Sequence, residues 1–427
     1  MAINIPETGQ KRIVIVGAGF AGLNLANKLS KRDFQIVLID KNNYHQFQPL
    51  FYQVAMAGLE PSSIAFPLRK LFQYKKNVSI RITEVEKVDT EQKILFTQLG
   101  DLKYDYLVIA FGVDTNFYGN KNLEDKTIPM KSVGEALYLR NAILTDYEKA
   151  ITTSDYDERQ GLIDIVIVGG GPTGVEVAGA LAEMKKFILP KDYAELDCEE
   201  IDIYLIQSGD QLLDGMSKEA GDGAKEFLED LGVKVILGKR VEDFDGSLVH
   251  ISDGTTIQAN KVIWAAGIRG NSILGLPKET ITYGNRIKVN RFNEVEGIKD
   301  VFAIGDIAYM EEELYPQGHP QVAQVAIQQS KNLALNFKNK QRNKALAQFF
   351  YKDRGSMATI GRNRAVVDLP RYKFKGFFAW VIWLIVHLFS LIGVKNKLFV
   401  FINWVWNYFT YDQSLRLIIR PKIRDEE

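Results

Sequence analysis

The chain is poor in cysteine: Cys198 stands alone among 427 residues. An internal disulfide and a redox-active dithiol are therefore excluded. It also lacks any excess of one charge, with 53 Lys+Arg against 53 Asp+Glu. A protein held to a phosphate backbone normally carries a basic surplus, so nucleic acid is excluded as the main partner. Residues 1–10 show no basic start leading into an apolar core, so no secretory signal is expected and a reducing, cytosol-facing location follows. What is present is ordinary globular composition, 46% hydrophobic and 25% charged with 34 Gly and 12 Pro, which rules out disorder and collagen-like chains. The length suits two or three domains.

One pattern occurs twice. KRIVIVGAGFAG, from Lys11 to Gly22, is a short apolar run entering a glycine-rich turn, followed by helix-like residues at 23–32 and a second apolar run at 34–39. DIVIVGGGPTG, from Asp164 to Gly174, repeats it, with Gly169 lying 152 residues after Gly17. YLVIAFG, ending at Gly112, is matched by KVIWAAG, ending at Gly267, 155 residues later. Two motifs in one order at one spacing predict two copies of a single domain type. Short continuous apolar strands alternating with helices predict parallel sheets covered on both faces.

In G-x-G-x-x-G after a strand, the first glycine makes the tight turn. The second lets the backbone approach a pyrophosphate, and the third lets helix pack on strand. The helix that follows aims its free N–H groups at the phosphates. Gly17, Gly19 and Gly22 form the first set; Gly169, Gly171 and Gly174 the second, with Pro172 and Thr173 opening the helix. Asp40 ends the next strand of the first copy, where a carboxylate accepts from a ribose diol. In the second copy Gln207 takes that place: it can still bond a ribose but does not repel a 2′-phosphate, or it is simply a neutral surface residue. Two dinucleotide loops in one chain most economically hold a flavin and a nicotinamide cofactor. The apolar run VFAIGD, ending in Gly305 and Asp306, supports the flavin, a plain strand-end turn being the alternative.

FQPLFYQVA (47–55), GGGPTGVEVAG (169–179), IWAAG (263–267) and AQVAIQQ (323–329) carry a more specific likeness. With them the chain resembles the type II NADH:quinone oxidoreductases, single-subunit, non-pumping NADH dehydrogenases of respiratory electron transport, from about residue 11 into the C-terminal aromatic region. The resemblance implies non-covalent FAD touching Phe20, Ala21, Lys41, Gln53, Val85, Ala110 and Gly112, with Asp306 at its ribityl and phosphate region and Ala323 and Gln324 beside its ring. It implies NADH, or NADPH, on the second loop with Gln207 and Gly267, and a quinone near Gln324 and Gln328. By the same resemblance Glu176 lies near the reacting centre and relays protons. Plain alternatives stand beside these: an acid one turn into a helix also favours the dipole, and glutamines four apart also make a solvated face. Disulfide reductases and sulfide:quinone oxidoreductases of this architecture need at least two cysteines, which Cys198 alone cannot supply. His319-Pro320-Gln321, before the quinone signature, departs from the more usual Pro-Thr.

From Gly376 the composition turns apolar. Residues 377–394 carry no formal charge, Lys395 and Lys397 follow, and a second apolar stretch covers 398–411; four of the five tryptophans fall here. Basic residues flank both ends, among them Arg371, Lys373, Lys375, Arg416, Arg420, Lys422 and Arg424. Eighteen residues barely span a bilayer and the second stretch is too short. The expected arrangement is a pair of helices lying in the interface with Lys and Arg at the headgroups; a true span, a dimer interface and a soluble core are the alternatives.

The expected fold class is α/β: two Rossmann-like dinucleotide-binding domains, for FAD and NAD, plus a C-terminal membrane-associating helical region. The FAD domain is expected at 1–117 and 290–345, the NAD(P)H domain at 118–289, and the membrane-anchoring region at 346–427. The expected reaction is hydride transfer from NAD(P)H to N5 of FAD, then two-electron reduction of ubiquinone or menaquinone without proton pumping. A homodimer on the bilayer surface, at the cytoplasmic face, is the expected state, with no metal. A reductase for a small redox protein such as rubredoxin, and a redox-sensing flavoprotein like apoptosis-inducing factors, are the alternative readings.

Overall fold

In the computed structural model, which describes residues 3–411 and 415–419, the chain divides into two compact units. The first comprises Met1–Gln46, Phe66–Asp114 and Ile268–Asp353; the second Phe47–Ala65, Thr115–Gly267 and Arg354–Glu427.

The first unit is built on a five-stranded parallel sheet. Its spatial order is Val301–Ala303, Tyr106–Ile109, Arg12–Val16, Gln35–Asp40, Val78–Ile82. Ile13, Val14 and Ile15 are fully buried, as an unbroken apolar run must be when both sheet faces are covered. Each such side chain contributes roughly 1.5–3 kcal/mol on burial. Helices Phe20–Leu29 and Ala323–Gln341 pack on each other in this unit. A three-stranded antiparallel meander, Val85–Asp89, Ile94–Thr97 and Gly100–Lys103, interrupts the chain before Tyr106–Ile109.

The second unit repeats this plan. Its parallel sheet runs Ile128–Pro129, Lys261–Trp264, Ile165–Val168, Ile203–Gln207, Val233–Leu237. Its meander, Val241–Phe244, Leu248–Ile251 and Thr256–Gln258, again precedes the strand beside the central one. Helix Val133–Ala150 opens with a capping box in which Ser132 and Glu135 satisfy each other's backbone N–H groups.

The units cut the chain differently from the boundaries expected at 117, 289 and 345. Residues 268–289 fold with the first unit, because Ile287–Lys288 pairs with Ala308–Tyr309 and Val289 bridges to Val295. Residues 47–65 and the region from 354 belong to the second. There the hairpin Ser356–Thr359 and Ala365–Asp368, the strand Lys373–Lys375 and the helix Phe377–Ser390 share a core of Ala365, Val367 and Ala379. The 377–394 stretch ends its helix at Ser390, since Leu391 is extended and Gly393 takes φ 81° before Val394–Thr410 begins. Among the described residues no helix is long and apolar enough to cross a membrane. Arg420, Lys422 and Arg424 lie outside the described residues.

Candidate functional site

In the first unit the glycine loop has the geometry its spacing predicts. Gly17 takes φ 102°, and a Cβ there would lie 2.4 Å from the carbonyl oxygen of Ala110, so strand and turn touch backbone to backbone. A Cβ on Gly22 would lie 1.9 Å from Gly17 O, whereas one on Gly19 would meet nothing within 4 Å. Gly19 is the N-cap of its helix and gives it no side-chain cap, leaving first-turn N–H groups to an external anion. That combination, an open glycine before uncapped donors, fits a dinucleotide's pyrophosphate. Asp40 holds the loop: Oδ2 accepts from Ala18 N–H at 2.6 Å and Oδ1 from Asn42 N–H at 2.7 Å. Burial pushes its carboxyl upward, and those two N–H bonds oppose the shift.

His45 supports the same loop and has no obvious sequence signal. It is buried, and Nδ1 bonds the Ala18 carbonyl at 2.8 Å, which requires that nitrogen to carry the proton. Burial holds its pKa below the usual value, so the ring is neutral. Phe20 meets His45 edge-on, and Val85 packs on the core that holds Val16 and Ile109, while Lys41 is exposed. Gly112 takes φ 68°.

Further along this unit, Gly305, at φ 77°, would bring a Cβ to 3.0 Å from that of Ala21. Its N–H donates to Oε1 of Gln329 at 2.7 Å, and Gln329 is fully buried, so this amide rather than its neighbour fixes the Gly305–Asp306 turn. Ala323 and Gln324, half-buried, open a helix whose N-cap Val322 gives no side-chain bond. Gln328 bonds the backbone of Lys352: its Nε2 donates to Lys352 O at 2.9 Å and its Oε1 accepts from Lys352 N–H at 3.1 Å.

The second unit's loop has the same shape. Gly169 takes φ 108° with a would-be Cβ 2.6 Å from Ala265 O; Gly174 would meet Gly169 O at 1.9 Å; Gly171 is open. Helix Pro172–Phe187 starts on Gly171 without a side-chain cap, and Pro172 and Thr173 are exposed. Gln207 Oε1 accepts from Gly170 N–H at 2.8 Å, the role Asp40 plays for Ala18. Above Gly267, at φ 86°, sits the hydroxyl of Tyr118, 2.2 Å from where a Cβ would stand.

One turn into that helix, Glu176 is buried beneath the C-terminal elements. Gly179 allows this, since a Cβ there would lie 3.0 Å from Gly361 N: the hairpin can settle on the helix and Thr359 N–H reaches the carboxyl. Desolvation drives the Glu176 pKa up to about 8, against the Thr359 N–H and the Trp383 indole. The indole lowers it without closing a regular hydrogen bond, as Trp383 Nε1 has no geometric partner. Around the carboxyl lie aromatic side chains that sequence reading did not place. Trp383 stacks on His387 with centroids 4.0 Å apart and meets Tyr52 at 6.3 Å and Trp404 at 6.1 Å. His387 Nδ1 bonds Trp383 O at 2.7 Å and burial lowers its pKa to about 4, so the ring stays uncharged. Gln53, expected at the flavin, lies in this unit, where its amide joins the Tyr52 hydroxyl at 2.8 Å to the Trp404 indole at 2.7 Å. Cys198 is half-buried, with its thiol pKa raised mainly by burial.

Residues 11–330 match the family model described as pyridine nucleotide-disulphide oxidoreductase, and 354–411 match the NDH2 C-terminal domain. The type II NADH:quinone oxidoreductase Ndh of Mycobacterium tuberculosis is 35% identical over 408 residues, 92% of this chain and 87% of that protein. An internal alternative NAD(P)H-ubiquinone oxidoreductase A1 of Arabidopsis thaliana mitochondria is 28% identical, over 94% of this chain and 85% of its own length. In fold, the chain resembles NDH2 from Plasmodium falciparum solved with NADH: TM-score 0.86 and 24% identity, covering 96% of this chain and all of that one.

Proposed function

The chain belongs to the type II NADH:quinone oxidoreductase family, and from that premise we propose how its own residues serve the reaction. It is a flavin-dependent oxidoreductase that oxidises NADH with a quinone. FAD is held on the first loop by Gly17, Gly19, Gly22, Asp40 and the Gly305–Asp306 turn, and NADH on the second by Gly169, Gly171, Gly174 and Gln207. Bound flavin supplies the two-electron relay between nicotinamide and quinone.

The balance NADH + H⁺ + quinone → NAD⁺ + quinol calls for one proton beyond the hydride. Glu176 carries this reading: with its pKa raised to about 8 it keeps its proton at neutral pH and can give it to a reduced quinone. The aromatic wall of Tyr52, Trp383 and Trp404 keeps bulk water from that carboxyl, and Gln324 offers an amide to a quinone oxygen. The single cysteine fits a path without thiol exchange.

The same reading lays helices Phe377–Ser390 and Val394–Thr410 along a lipid surface at the cytoplasmic face. Ala379, Trp383 and Val400 face inward, while Phe378, Phe389 and Phe409 are each more than 70% exposed. Lys397 lies over the Phe389 ring and Lys395 over Phe399, so their charges sit beside apolar side chains as at headgroup level.

The test is NADH oxidation by flavin-loaded protein with a short-chain quinone, compared with ferricyanide, which takes electrons without protons. Glu176→Gln should lower quinone reduction about a hundredfold and leave ferricyanide reduction within about twofold. Equal losses with both acceptors would overturn the proton role, and a wild type indifferent to quinone would overturn the function. Replacing Phe378, Phe389 and Phe409 together by serine should release the protein from lipid vesicles without lowering its melting temperature.

A further inference from the structure

The second glycine loop has no acid at its strand end, yet a carboxylate stands one hydrogen bond away. Gln207 spends Oε1 on Gly170 N–H, and its Nε2 donates to Oδ2 of Asp214 at 2.9 Å. Asp214 is held there by the chain around it. Leu213 N–H donates to the carbonyl of Gly170 at 2.8 Å, and a Cβ on Gly170 would lie only 2.6 Å from Leu212 Cδ2. Leu212 and Leu213 are both buried, and Leu213 adopts φ 54°, a left-handed conformation that a leucine takes at a cost. The turn is thus fastened to the glycine loop by a backbone bond and by packing, and that strained residue directs the next side chain. Asp214 itself is exposed. The pair lies over Gly209, where a Cβ would come 3.0 Å from Asp214 Oδ2 and 3.1 Å from Gln207 Nε2, so a larger residue would displace it. Lys239, whose N–H reaches Gln207 O at 3.2 Å, turns its ammonium to Asp253 at 3.1 Å.

We infer that Asp214, positioned by Gln207, reads the adenosine ribose of the dinucleotide: its carboxylate accepts from the 2′-hydroxyl of NADH and repels the 2′-phosphate of NADPH. In the first fold the group that caps the loop N–H and the group that carries the charge are one residue, Asp40. In the second they are two, and Gln207 is the amide between them. This rests on the second loop being the NADH site.

The test is calorimetric titration of flavin-loaded protein with ADP-ribose and with its 2′-phosphate, alongside kcat/KM for NADH and NADPH. Wild type should bind ADP-ribose at least about tenfold more tightly than the 2′-phosphate, and Asp214→Asn should bring the two within about threefold, chiefly by improving the phosphate. Asp210→Asn removes the same charge from the same exposed turn without touching Gln207, and should leave the ratio as in wild type. An unchanged ratio in Asp214→Asn, or an equal shift in both variants, would overturn the inference while leaving the NADH site in place. If wild type bound neither ligand, or if Gly171→Val bound both as wild type does, the NADH assignment itself would fall and the inference with it.

Discussion

The two glycine loops share strand order, turn geometry and an uncapped helix start, yet the helices they open have been put to different uses. Asn24 in the first helix occupies the place of Glu176 in the second, 152 residues on. Asn24 is half-buried and satisfies itself locally, its Nδ2 donating to Phe20 O at 2.8 Å. Glu176 is buried and held neutral by desolvation under the Thr359 hairpin and Trp383. The uncapped helix start belongs to backbone that both copies retain. The proton chemistry we propose belongs to a side chain one turn later, whose protonation is set by what the rest of its own unit lays over it.

The strongest way to break this comparison is at the third glycines. Gly22→Ala and Gly174→Ala each drive a Cβ to 1.9 Å from a carbonyl oxygen of their own loop. Backbone cannot yield there as a side chain would, so each should lose its ligand. Gly22→Ala should purify colourless. Gly174→Ala should stay yellow, with flavin absorbance near wild type, and lose NADH oxidation by at least about a hundredfold. A colourless Gly174→Ala protein would show that the loops are not separable in function.

Next in size is the titration of Glu176. Its folded pKa of about 8 lies above the ordinary 4.5, so between those values the unfolded chain has released a proton that the native one retains. Stability from this group is fully present below 4.5 and is lost as pH rises toward 8. Glu176→Gln, which cannot titrate, should melt with a smaller fall between pH 5 and pH 8.5 than wild type. Parallel melting curves would mean that the carboxyl is solvated and no better a proton donor than an ordinary glutamate.

What could be read from the sequence follows the same division. The glycine sets, Asp40, Gln207 and the duplication were legible, because each is a local spacing tied to one backbone shape. So was the change of character at Gly376, although the apolar stretch breaks at Leu391 and Gly393 where hydropathy alone runs on. Asp214 was not legible, since it depends on a left-handed leucine and a bond from Leu213 to Gly170. His45, Gln329 and the meeting of Trp383 with Tyr52 were missed for a related reason: their partners are 27, 24 and 331 residues away, and nothing periodic marks them. Gln328 combines the two cases, since its helical spacing from Gln324 was legible while its bonds to the Lys352 backbone were not.

Charge at the two strand ends offers a finer contrast. Asp40→Asn keeps the shape but replaces an ionised acceptor, and should raise the dissociation constant of FAD about tenfold, read from flavin retention on dilution. Gln207→Glu adds a carboxylate and removes the donor to Asp214. NADH kcat/KM should change by less than about threefold while NADPH falls about tenfold. Equal effects on both nucleotides would detach this strand end from the ribose.

The smallest expected effect separates amides that bind from amides that brace. Gln207 and Gln329 each fix a turn through a backbone N–H, at Gly170 and Gly305. Gln328 makes both of its bonds to the backbone of Lys352, so it too acts as a brace. Because those bonds are exposed, their loss in Gln328→Ala should cost only about 1 kcal/mol in denaturant unfolding. The quinone KM should not move, while Gln324→Ala raises it several-fold. A raised KM at Gln328 would instead mean that the Lys352 contact opens when quinone binds and that both amides of the motif serve the substrate.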